Sequence, residues 1–343
     1  MKLRFKKSIA FLFCLLLFTN FFAKNFCCKA EIEMQVNESV KLVKEKNLFY
    51  DFEYKNLYIF AIALQKSNDV NDIFTWSKDE NHISKLKKVF NKVYLLSDEK
   101  DMSEFLLERG SYDHVFSCNC YHGKEWEQLQ DYNSYYHFED GSYEYNQMNA
   151  PNWLCDITKA KKLFMLFPER RFKGLQGIEA EQISREKYLE AINILYEPVS
   201  LNKKIIFCLN CPEFNYIKLS KTIINTLKEY KDSVAIKGHP RDSKQYLFPQ
   251  EFTIINKSLP FESFYYRFDG LLISDLSSCL HTAKFISQNS TVICTAFVGH
   301  QPEFLNKWKD YLSMLENLGV LLPKSIEELE AMVSQYMNSI DKN

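Results

Sequence analysis

Asn56 to Leu64 (NLYIFAIAL) is an uninterrupted apolar run, and its Ile, Phe and Tyr content reads as a strand covered on both faces. The pattern predicts it as the first strand of a parallel sheet. Helical spacing follows over His82 to Asn91, then strands at Lys92 to Leu96 and around His114 to Ser117. Gly177 to Leu195 repeats its apolar positions at the helical period, and Glu197-Pro198-Val199-Ser200 stops it. Beyond that stop come a strand at Lys203 to Leu209, a helix at Leu219 to Tyr230, and strands at Ser233 to Lys237, Phe252 to Ile255, Gly270 to Ser274 and Thr291 to Thr295. Ser325 to Ile340 is a capped amphipathic helix.

Strands that alternate with helices of about ten to fifteen residues form parallel sheets with right-handed crossovers. The predicted fold class is therefore α/β, with two Rossmann-like lobes whose parallel sheets face a central cleft. At ~150 residues per domain, the 343 residues suffice for two such cores. The expected divisions are residues 1–30 as a signal peptide or membrane anchor, 31–198 as the N-terminal lobe, 199–322 as the C-terminal lobe, and 323–343 as a terminal helix packing across both.

The first 30 residues stand apart in composition. Lys2, Arg4, Lys6 and Lys7 precede an apolar stretch from Ser8 to Ala23 that has no polar face. Sixteen helical residues reach ~24 Å, short of the ~30 Å hydrocarbon core, which suits a signal segment better than a comfortable span. The residues before Ala23 and Ala30 are poor cleavage contexts, so an uncleaved anchor and a cleaved signal both stay open, as does an apolar cytoplasmic start. All three leave room for association with a membrane through the N-terminus, for export, or for work at its cytoplasmic face.

Charge and glycine usage exclude several function classes. Six of the 43 Lys and Arg fall in residues 1–30, so the remainder carries 37 basic against 44 acidic side chains and does not suit a nucleic-acid partner. Only nine glycines occur, with no GxGxxG or GxxxxGK[ST], which argues against dinucleotide oxidoreductases and P-loop enzymes. Among ten cysteines, Cys118 with Cys120 and Cys208 with Cys211 have knuckle-like spacing. Zinc sites want a second knuckle or accompanying histidines, so buried free thiols are the expectation.

Three short segments carry candidate chemistry. Phe138-Glu139-Asp140-Gly141-Ser142 sets two acids before a glycine, where one can enter a cleft while the other anchors the turn; an ordinary Asp-Gly turn gives the same spelling. Ile236-Lys237-Gly238-His239-Pro240-Arg241 concentrates positive charge at the carboxyl end of a strand, where open α/β sheets bind ligands. Ser274-Asp275-Leu276-Ser277-Ser278 follows Leu259-Pro260-Phe261-Glu262-Ser263 and an apolar strand. Its paired serines either cap a helix or offer hydroxyls and N–H groups to an anion at the positive end of the helix dipole.

Together, in this order, FEDGSYEY, IKGHPR, PFESF and SDLSS resemble the D/E-D-G, HP and Ser-Ser motifs of bacterial sialyltransferases. The likeness is thin over residues 138–145, more continuous over 234–297 and weak over 31–130, and it leaves room for the lipooligosaccharide and polysialic-acid branches. It implies a two-lobed GT-B glycosyltransferase that moves sialic acid, with inversion, from CMP-sialic acid to a galactose-terminated or sialylated glycan or glycolipid. The N-terminal lobe would bind the acceptor and the C-terminal lobe the CMP-sugar. By the same resemblance Asp140 is the base and His239 contacts the leaving phosphate. Lys237, Gly238 and Pro240 belong to the HP segment, Glu262 binds the cytidine nucleoside, and Ser277 and Ser278 bind phosphate. A donor with one bridging phosphate needs no metal, so neither metal nor cofactor is expected.

Two other classes fit part of the pattern. Wall-polymer transferases that use CDP-glycerol also carry an HP motif and an S/T-D-x-S-S segment, but their reaction does not call for FEDG. An exported, non-enzymatic two-lobed binding protein would share the leader and the architecture without needing an acid facing a His–Ser phosphate site.

Overall fold

The computed structural model describes residues 43–51, 56–97, 112–118, 135–139, 141–146, 157, 159–209, 217–240 and 251–340. The leader read in residues 1–30, and Cys120, Asp140, Cys211 and Arg241, lie outside them. In the first lobe, β1 (Lys46–Tyr50), β2 (Val70–Thr75), β3 (Lys92–Leu95), β4 (His114–Ser117), β5 (Tyr135–Phe138), β6 (Lys162–Met165) and β7 (Glu179–Gln182) form one sheet. Their order is β3-β2-β1-β4-β5-β6-β7, with every neighbouring pair parallel.

Parallel neighbours cannot be joined by a tight turn, so the chain between β1 and β2 has to cross over one face of the sheet. The run read as a first strand does this as a helix, α1 (Asn56–Gln65). Its residues from Leu57 to Ala63 are all buried, so no polar stripe betrays a helical period. A second helix, α2 (Glu80–Leu86), follows β2, started by the Asp79 carboxylate, which accepts from the Asn81 N–H. The amphipathic stretch Gly177 to Leu195 is not one helix either. Its first part is the edge strand β7, whose Glu179 and Glu181 pair with Lys162 of β6 at 2.6 and 3.2 Å. Ser184 then caps α3 (Arg185–Leu195), and Tyr188 of α3 meets Tyr58 of α1 edge to face at 5.7 Å.

The second sheet comprises β8 (Ile205–Cys208), β9 (Val234–Lys237), β10 (Thr253–Ile255), β11 (Leu271–Ser274) and β12 (Thr291–Cys294). Its order is β10-β9-β8-β11-β12, again wholly parallel. The helices that bear on the site are α4 (Ile217–Thr226), α5 (Phe261–Tyr265), α6 (Ser278–Ile286) and α7 (Lys309–Asn317), followed by α8 (Ile326–Ile340). Both sheets reverse strand order beside their first strand, and such switch points open a crevice at the strand carboxyl ends. Helix α8 was expected across both lobes. Its buried Leu329 and Val333 pack into the second-lobe core, and among the described residues it adds no buried side chain to the first. Phe285 of α6 instead joins the lobes, its ring 5.3 Å from that of Tyr188 and 5.6 Å from that of Phe167.

Candidate functional site

β5 delivers the first acidic segment. The Glu139 N–H donates to the Phe164 carbonyl at 3.0 Å, which continues the ladder one residue beyond the strand. The side chain of Glu139 is fully buried. One carboxylate oxygen accepts from the Tyr58 hydroxyl at 3.1 Å, and the other accepts from the Leu166 N–H at 2.8 Å and from the Tyr145 hydroxyl. Tyr145 in turn accepts from the Phe167 N–H at 3.2 Å. Burial first, and the Glu139 charge second, push the phenols of Tyr58 and Tyr145 well above their ordinary value. A buried carboxylate with three donors is an anchor. Gly141, past Asp140, has φ +133°, a conformation that suits glycine.

The second lobe supplies three groups of residues. At the end of β9, buried Lys237 turns its ammonium onto the carbonyls of Gly238 at 3.1 Å and Lys257 at 2.8 Å, and burial lowers its pKa. It braces the turn from beneath, while His239 is half-buried and Pro240 exposed. Glu262 sits in the first turn of α5, and its charge is felt at Lys237, Cys208 and Cys279, so these four share one neighbourhood. At the start of α6 the Ser277 hydroxyl caps the Cys279 N–H at 3.4 Å and Ser278 opens the helix.

Cys118, Cys208 and Cys294 are buried free thiols, as expected, and Cys208 has Cys279 as its neighbour. Cys208 ends β8 and hydrogen-bonds Cys279, and this contact, with burial, raises the Cys208 thiol well above its usual value. The Cys279 thiol is held down by hydrogen bonds from Cys208, Ser277 and Ser274, with the Cys208 bond the largest influence. Among the described residues no group of three or more His, Cys, Asp or Glu side chains could hold a metal ion.

The two lobes meet at these motifs. A methyl group placed on Gly141 would stand 3.4 Å from Cβ and 3.8 Å from Oγ of Ser278, so the acidic turn lies against the serine pair. A few residues on, the Asn146 amide donates across the lobes to the Lys307 carbonyl at 2.7 Å. Sequence reasoning overlooked the polar residues that back this junction, notably Tyr58, Tyr145, His281 and Tyr311. It also missed His300, whose Nε2 lies 2.6 Å from the Asp275 carboxylate within the SDLSS segment, with the Phe304 ring stacked on it at 4.4 Å. His281 carried one signal: it lies four residues after Ser277 and hence on the same face of α6.

No family model and no curated protein matches the sequence. Solved structures do match. The wall teichoic acid polymerase TagF, as its H444N variant soaked with CDPG, aligns with a TM-score of 0.51 and 14% identity over 94% of this chain and 92% of that one. The fold is of the GT-B type. A glycosyltransferase from Rickettsia africae ESF-5 aligns at a TM-score of 0.49 and 13% identity, over 87% of this chain and 89% of that one. Anabaena HepE in complex with UDP-glucose aligns at 0.49 and 10% identity, over 87% and 91%. Likeness at these identities concerns the fold, and the resemblance to sialyltransferases rests on the four short motifs alone.

Proposed function

We infer that this chain is a glycosyltransferase using a cytidine nucleotide donor, and that it transfers sialic acid from CMP-sialic acid to a glycan or glycolipid acceptor. The observation that carries the reading is the contact of Gly141 with Ser278. Sialyl transfer with inversion needs a base for the acceptor hydroxyl close to a site that stabilises the departing phosphate, and the two motifs that would supply them meet there.

Asp140, between the anchored Glu139 and Gly141, is the base in this reading. The positive dipole end of α6, with the hydroxyls of Ser277 and Ser278, receives the phosphate of CMP. His239 donates a hydrogen bond or proton to it, and Glu262 takes the cytidine. Lys237 holds the Gly238–Pro240 turn in place rather than reaching the phosphate. The basic and apolar first 30 residues would hold the enzyme at a membrane, where glycolipid acceptors reside.

The CDP-glycerol reading keeps a specific support: TagF was soaked with CDPG, and SDLSS fits both classes. Incubating the purified chain with EDTA and either CMP-sialic acid plus a galactose-terminated glycan or CDP-glycerol plus a polyol-phosphate primer separates the readings. Release of CMP together with a sialylated product, and no use of CDP-glycerol, is the expected result. Consumption of CDP-glycerol alone moves the assignment to polyol-phosphate transfer, and turnover of neither donor leaves a binding protein.

A further inference from the structure

The second sheet switches direction between β8 and β11, and the strand carboxyl ends at such a point form the crevice where ligands bind. Asp275 is the first residue beyond β11, and its carboxylate Oδ2 lies 2.6 Å from Nε2 of His300. His300 arrives from beyond β12, after the helical turn Ala296–Gly299. That turn is seated closely on α4, since a methyl group on Gly299 would stand 2.5 Å from Cδ1 of Leu219. The Phe304 ring stacks on the imidazole, with the centroids 4.4 Å apart and the planes inclined by 27°.

A carboxylate can only accept, so the hydrogen on Nε2 points at Asp275 and Nδ1 is the nitrogen left to meet something else. Nδ1 makes no hydrogen bond to any described residue and is not sealed in the core, and the side chain keeps 10% of its surface. An aspartate and a stacked ring thus hold the imidazole in one orientation, with one polar atom still to be matched. An anionic ligand group would match that atom only in a doubly protonated ring. A hydroxyl matches either form, because it donates to a lone pair and accepts from an N–H.

The strand order tells which part of a donor this atom would meet. Lys237 and His239 end β9, the serine pair follows β11, and His300 follows β12, one strand farther along the same edge. On its other side, the short helix Pro302–Lys307 carries Phe304 and ends at Lys307, whose carbonyl accepts from Asn146 of the first lobe at 2.7 Å. His300 therefore stands between the serine segment and the junction of the lobes, past the positions assigned above to nucleoside and phosphate. We propose that His300, oriented by Asp275, hydrogen-bonds through Nδ1 to a hydroxyl of the group that is transferred, so that this pair recognises the sugar part of the donor and not its nucleotide. This rests on the transferase reading above. Sialic acid and glycerol both carry such hydroxyls.

The test is calorimetric titration of the full chain, without acceptor, with CMP, CMP-sialic acid, CDP and CDP-glycerol in turn. His300→Gln keeps an amide near the position of Nε2, toward Asp275, and has nothing at Nδ1, whereas His300→Asn keeps a polar atom near Nδ1 and abandons Asp275. In His300→Gln the Kd of CMP should stay within about twofold of wild type while that of CMP-sialic acid rises about 3- to 10-fold, the effect of one hydrogen bond. His300→Asn should lose less of the discrimination between CMP-sialic acid and CMP, even if it unfolds at lower temperature. Wild-type affinity of His300→Gln for CMP-sialic acid overturns the proposal. Equal weakening of CMP and CMP-sialic acid overturns it as well, because His300 would then serve the nucleotide or the fold alone. A selective loss for CDP-glycerol against CDP, in place of CMP-sialic acid against CMP, supports the contact and overturns sialic acid as the transferred group. Wild type that binds none of the four ligands fails the transferase reading, and the assignment of His300 falls with it.

Discussion

Glu139 in the first lobe has no exposed surface and accepts three hydrogen bonds, whereas the Gly238–Pro240 turn in the second leaves His239 half-buried and Pro240 in solvent. Lys237 braces that second turn through two carbonyls without covering it. The Glu139 side chain is held by these bonds without any ligand, while half-buried His239 is reachable by one. Under the proposed function, a base beside Glu139 has to be held against a distant partner, which matches the anchoring on one side, and a phosphate has to enter and leave, which matches access on the other.

The comparison breaks most readily at its rigid half. Glu139→Ala removes the acceptor shared by Tyr58, Tyr145 and the Leu166 N–H and leaves buried donors unpaired, so unfolding should become easier by ~3–5 kcal/mol. His239→Ala should change stability by no more than ~0.5 kcal/mol and still lower the transfer rate by ~100-fold. Denaturant titrations of both variants, with activity assayed on the folded protein, check this. Similar stability losses in the two would erase the distinction between a rigid and an accessible turn.

The second lobe was legible as short apolar runs and α8 as an apolar period: those strands and that helix lie within a residue or two of the expected bounds. α8 even shows the reason, because Ser325 accepts from the Glu328 N–H at 3.3 Å and Glu328 reaches back to the Lys324 N–H at 2.7 Å. Burial on all sides removed that signal from α1, whose helical state is imposed by the crossover between β1 and β2. Strands β1, β2, β5, β6 and β7 were hidden by polar residues such as Asn47, Asn71 and His137, which are buried and hydrogen-bonded to neighbouring side chains or backbone. Motif spelling marked Glu139, Gly141, Ser277 and Ser278, but their partners His281 and Tyr311 are joined only by tertiary contact, 30 residues apart.

A smaller effect distinguishes another corner of the first lobe. His82 Nε2 lies 2.8 Å from the Asp51 carboxylate just past β1, and that hydrogen bond raises the His82 pKa above 6.5. A raised folded-state value means the stabilisation is complete below about pH 6.5 and is lost as pH climbs through the folded-state pKa. The melting-temperature gap between wild type and His82→Asn should thus be wider near about pH 5.5 than near about pH 8.5. An equal gap at both would remove the charge from that contact.

The central claim is that an acid on the anchored first-lobe turn works on a donor held by the second lobe, and Asp140→Asn tests it most directly. With CMP-sialic acid and acceptor varied separately, kcat should fall by ~10²–10⁴-fold, while CMP raises the melting temperature of the variant as much as that of wild type. Wild-type turnover by Asp140→Asn would contradict the account, because no base would then reside on the turn that Glu139 anchors against the serine pair.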